Sequence, residues 1–157
     1  MKVEEFLQDP SSTTGYFQSL SKNYKLDILH HGRQEDSFWR IVAIYLDNIP
    51  VMIGVSSTQV WHHTFLEILE NAAHIPIGTR LFKAGAEITR TNMQIGEINC
   101  AAITNNTVTT FLHKLDGIGT EIYLRQSDFV HKNETMHLDE YVLPGLIQLV
   151  TAQPRER

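Results

Sequence analysis

The sequence predicts an α+β domain in which helices cover an antiparallel sheet, and three observations carry that prediction. Phe38 to Leu46 is an apolar run ending at Asp47-Asn48, and Val51 to Val55 returns as its partner, the pattern of a tight hairpin. Tyr24, Leu26 and Ile28 alternate with Lys25 and Asp27, as a strand with one buried side requires. Trp61, Phe65, Ile68, Leu69 and Ala72 recur at helical spacing behind the hydroxyls of Ser56-Ser57-Thr58, so an amphipathic helix should start there and lie on the sheet.

Taken in order, Val3, Phe6 and Leu7 form one short amphipathic turn that Pro10 stops. Ser11 to Thr14 supply capping hydroxyls, and Tyr16, Phe17 and Leu20 share a helical face, which predicts a helix from about Thr14 to Ser21. After the strand at Tyr24–Ile28, the run His30 to Asp36 reads as a polar loop. The adjacent histidines there, and His62-His63, read as solvated or hydrogen-bonded. Strand neighbours point to opposite faces, and no matching carboxylate or cysteine cluster stands nearby in sequence.

Arg40 interrupts the apolar hairpin strand on the side of Val42, Ile44 and Leu46. A guanidinium in that position must be paired, since an isolated buried charge is too costly. It either reaches water or a carboxylate at the strand mouth, or it marks an anion site inside the fold.

The stretch from Ile75 to Gly96 is too apolar for a free linker and too rich in Gly, Pro and Thr for one continuous helix. Pro76 pushes Ile75 towards an extended conformation, and Gly78 tolerates a close approach to the main chain, so a bend with exposed amides is expected. Ile88, Arg90, Asn92 and Gln94 then share one side of a strand. Ile98–Ile103 and Val108–Leu115 read as strands joined near Asn105-Asn106. Asp116-Gly117 turns into a further strand over Gly119–Leu124 that contains Glu121. That acid is either a solvent-facing edge residue or a functional carboxylate. From His131 to Leu149 an acidic patch precedes a closing helix carrying Tyr141, Val142, Leu146 and Leu149, begun or broken by Pro144.

The 157 residues fit a single domain spanning 1–157. A formal charge of -5, with no basic stripe, argues against a nucleic-acid partner. Cys100 is the sole cysteine, so no intrachain disulfide can form, and it reads as a small buried apolar residue. The first ten residues lack a signal-type apolar core and no run is long enough to span a bilayer, so no membrane is expected and the cytoplasm is the default.

Pro76-Ile77-Gly78, Leu81-Phe82, Ile88-Thr89-Arg90 and Ile95-Gly96 resemble the corresponding stretch of the chorismate lyases. Arg40 at its distance before Pro50, Thr120-Glu121-Ile122-Tyr123-Leu124, and Thr14 to Phe17 extend the resemblance over about Ser12 to Leu124. It implies an antiparallel sheet wrapped round a buried ligand pocket, and an enzyme that converts chorismate to 4-hydroxybenzoate and pyruvate. In that reading Arg40 grips the ring carboxylate bidentately, and Glu121 accepts the ring proton or bonds the ring hydroxyl. An amide at Ile77 or Gly78 fixes the ring's polar end, Arg90 offsets the charge of the leaving enolpyruvate, and Thr13 stands where the family's loop methionine covers the ligand. No metal or organic cofactor is implied, and a monomer or weak homodimer is expected. The effector domains of some transcription regulators resemble the same fold and bind without catalysis. A non-catalytic binder of hydroxybenzoate-type molecules is therefore the alternative.

Overall fold

The computed structural model describes residues 17, 20, 22–83, 87–115, 119 and 121–152. Its strands are β1 (Tyr24–Gln34), β2 (Ser37–Leu46), β3 (Ile49–Gln59), β4 (Thr89–Asn99), β5 (Glu121–His131) and β6 (Glu134–Val142). Helices α1 (His63–Glu70), α2 (Ile77–Lys83), α3 (Asn106–His113) and α4 (Pro144–Ala152) complete it. The strands form one antiparallel sheet in the order β1-β2-β3-β6-β5-β4, the α+β architecture expected from the sequence. Three two-residue hairpins build it. Asp47 and Asn48 both sit at positive φ, 52° and 64°, the turn whose twist matches the flanking strands. Glu35 and Lys132 adopt similar angles in the β1–β2 and β5–β6 turns.

Paired residues of antiparallel strands point to the same face, so the register sorts the core. On one face Leu26, Val42, Ile44, Met52 and Val142 pack with Phe17 and with Leu146 of α4. Further along that face Phe38 and Met136 pack against Phe65, Ile68 and Leu69 of α1 and Leu81 of α2. The opposite face, with Ile41, Ile53, Val55, Ile122 and Tyr141, is covered by Ile103 and by Val108 and Leu112 of α3. Among the described residues no helix is long and apolar enough to cross a membrane.

Several sequence expectations are corrected. His30–Gln34 continues β1 instead of looping, because the two-residue turn comes later, at Glu35-Asp36. Ser56, Ser57 and Thr58 lie within β3 and cap nothing; α1 begins at His63, and Trp61 ahead of it is 52% exposed. The bend expected at Ile77-Gly78 is the first turn of the short helix α2, closed by a bond from Arg80 N to Pro76 O. Val108–Leu115 is not a strand: Asn105 accepts from the amides of Thr107 and Val108 and starts α3, whose apolar residues fall at helical spacing. Much of the segment read as a tail is β6. The turn expected at Asp116-Gly117 and the first ten residues lie outside the described residues. Of the helix expected over 14–21, Phe17 and Leu20 are described, and both are helical.

Candidate functional site

The two apolar clusters on the first face are separated by a polar band. The register aligns Arg40, Ser56, Leu138 and Ser127 in one row, and Val42, Gly54, Glu140 and Arg125 in the next. Arg125 and Glu140 form a forked pair, and Arg90 adds a bond from Nη2 to Oε1 of the same carboxylate at 2.7 Å. Arg90 also donates from Nε to the Ser127 hydroxyl at 3.0 Å and lies over the Phe129 ring. Arg125 and Glu140 are buried and Arg90 is largely so.

Arg90 reaches this band because β4 is irregular. Asn92 takes a positive φ of 52° and the pairing shifts between Thr91 and Gln94, so Arg90, opposite Phe129, and Ile95, opposite Arg125, share a face. The simple alternation expected from the sequence would have separated them.

Arg40 is 1% exposed, yet it has no ion-pair partner among the described residues. Its Nη2 donates to the carbonyls of Ala73 at 3.1 Å and Ile75 at 2.8 Å, and its Nε is buried without a partner among the described residues. Burial lowers its pKa to about 10, opposed by Tyr24, so it is cationic at neutral pH. The Tyr24 hydroxyl, on the same face of β1, is likewise buried and unbonded among the described residues, and burial pushes it up to about 12. A buried cation with unused donor capacity is chemically suited to an acid or phosphate.

The predicted site residues are thus partly assembled. Arg40 holds the carbonyl two residues ahead of Ile77, which places it beside the segment carrying Ile77 and Gly78. Arg90 shares its face but is joined to Glu140. Glu121 stands elsewhere: it opens β5 opposite Asn99, is exposed, and lines a small cleft of about 50 Å³ with Glu97, Tyr123, Val142 and Pro144. It lies six residues along β5 from Ser127, roughly 20 Å, and three strands across from Arg40. Thr13 lies outside the described residues. The sequence reading missed Arg125, Ser127 and Glu140. Their one signal was alternation, since 125 and 127 share the parity of Tyr123 in a strand that continues past Leu124.

One histidine of each adjacent pair meets main chain. His31 Nε2 lies 3.0 Å from Leu69 O, and His62 Nδ1 lies 3.0 Å from Thr135 O. Among the described residues no group of three or more His, Cys, Asp or Glu is placed to hold a metal.

No protein-family model and no curated protein matches the sequence. Solved structures do match. The C-terminal domain of the histidine utilization repressor from Pseudomonas syringae pv. tomato str. DC3000 aligns with a TM-score of 0.55 at 9% identity, over 86% of this chain and 98% of that one. PhnF from Mycobacterium smegmatis aligns at 0.58 and 9% identity, over 87% of this chain and 65% of its own. A GntR-family transcriptional regulator from Bacillus cereus aligns at 0.50 and 12%, over 85% and 96%. The expectation of a chorismate lyase is corrected by these matches: two of the three are named as a repressor and a transcriptional regulator and none as a lyase, and the carboxylate required for the chemistry stands apart from Arg40. What this chain has in common with them is its fold, a six-stranded antiparallel sheet flanked by helices.

Proposed function

We propose that this chain is a non-catalytic domain that binds a small anionic molecule of the hydroxybenzoate type on the polar band, with Arg40 receiving the acid. One observation carries the reading: a fully buried guanidinium that meets carbonyls and no carboxylate among the described residues. Glu140 is already engaged by Arg90 and Arg125, so that cluster frames the band while Arg40 retains net positive charge for a ligand. The fold shared with a repressor and a transcriptional regulator supports placing the binding step in a sensing role. Catalysis has no part in it.

Calorimetric titration with 4-hydroxybenzoate and with its neutral amide tests the proposal. The acid should bind, the amide should bind at least tenfold more weakly given the ion pair it forgoes, and Arg40→Met should abolish the difference. Equal affinity for acid and amide, or no binding of the acid, would remove the basis for the reading.

A further inference from the structure

Arg40 reaches from the middle of β2 to the turn between α1 and α2, where both its hydrogen bonds end on main-chain carbonyls. A guanidinium offers forked partners two edges, Nε with Nη2 and Nη1 with Nη2, and each edge uses a hydrogen of Nη2. Arg125 displays the first edge, with Nε and Nη2 on the two oxygens of Glu140. In Arg40 the Nη2 group already serves Ala73 and Ile75, while Nε is buried and unpartnered among the described residues. A carboxylate or phosphate that grips Arg40 through two bonds must therefore displace one of these carbonyls.

Few main-chain bonds hold the turn itself, and the apolar anchors of the segment, Ile77 and Leu81, come only after it. Ala73 sits at φ 48°, a left-handed conformation that alanine enters only at a cost, and its side chain is exposed. Beyond one bond from Ile75 N to Ala72 O, the chain passes directly into α2, seven residues long and too short to be stable unaided.

We propose that Arg40 is a latch with two mutually exclusive engagements: it fastens the Ala73–Ile75 turn, or it grips an anionic ligand, so that ligand binding loosens the chain from Ala73 through α2. The inference rests on the small-molecule reading above and gives it an output. Linkage then requires that anything favouring the fastened turn weakens the ligand. Glycine enters the left-handed region freely, so Ala73→Gly favours the fastened turn without touching the core.

Hydrogen exchange read by mass spectrometry tests the latch, with 4-hydroxybenzoate and inorganic phosphate as separate probes and affinities measured for wild type and Ala73→Gly. Amides over 73–83 should exchange severalfold faster with whichever anion binds, and Ala73→Gly should bind that anion roughly three- to tenfold more weakly. Binding with unchanged or slower exchange over 73–83, or equal affinity in Ala73→Gly, overturns the latch and leaves the binding reading standing. Failure of both anions to bind at millimolar concentration overturns the two together.

Discussion

Arg125 and Glu140 face each other across β5 and β6 with two parallel bonds, Nε to Oε1 at 2.8 Å and Nη2 to Oε2 at 3.0 Å. Both are buried, and Arg90 closes on the same carboxylate. Removing the acid alone strands two desolvated cations. Glu140→Gln should therefore lower unfolding free energy by about 3–5 kcal/mol, read from urea denaturation. A loss under about 1 kcal/mol would mean that water reaches the cluster.

His137 lies on the opposite face of β6, between Asp128 at 2.7 Å from Nδ1 and Asp139 at 2.8 Å from Nε2. The bond to Asp139 raises its pKa, burial opposes this, and the bond to Asp128 adds to it, giving about 9 against an ordinary 6.5. A raised folded-state pKa stabilises fully below the unfolded value and is lost as pH climbs through the folded one. The melting-temperature gap between wild type and His137→Gln should be widest at or below pH 6.5 and close by about pH 9. A gap that does not change with pH would show that the ring acts without its charge.

The first turn of α1 has no side-chain cap of its own. Glu134, the first residue of β6, accepts from Thr64 N and Thr64 Oγ1, each at 2.7 Å. Burial alone would raise this carboxyl, and the two Thr64 bonds outweigh it, holding it below its usual range. Glu134→Ala should cost about 1 kcal/mol, as other N-caps do. The deficit should shrink as acid protonates the wild-type carboxylate, because a depressed pKa stabilises only above the folded value. Denaturation at neutral pH and near pH 3 compares the two.

Gly145, at the start of α4, meets the β2–β3 hairpin closely. A Cβ there would stand 2.5 Å from Pro50 O and 2.6 Å from Ile49 Cγ2. The carbonyl is backbone and cannot swing aside, so Gly145→Ala should destabilise by about 1–3 kcal/mol, even though alanine is the better helix former. A neutral or stabilising result in thermal melts would show that α4 can shift on the hairpin.

The parts of this architecture visible in the sequence are those where one local signal dominates. The turn at Asp47-Asn48 and the apolar runs around it announce β2 and β3, and Arg40 stands out because it breaks such a run. Three threonines and Val108 made α3 look extended, while the Asn105 side chain that starts it decides otherwise. Arg125 and Glu140 look like surface residues one at a time; they are core residues only because two strands place them face to face. Glu121 misled for the converse reason, since β5 begins with it and leaves it exposed. Arg90 needed the left-handed Asn92, which no alternation rule supplies.

The strand order places β3, whose residues Val51 to Ser56 are all buried, next to β6, some eighty residues later in the chain. During synthesis the first hairpins emerge with that apolar edge unpaired, and α1 waits for a carboxylate 70 residues downstream of Thr64. The amino-terminal half should therefore depend on a chaperone, or on rapid translation of the remainder, until β6 arrives and seals the sheet at its middle.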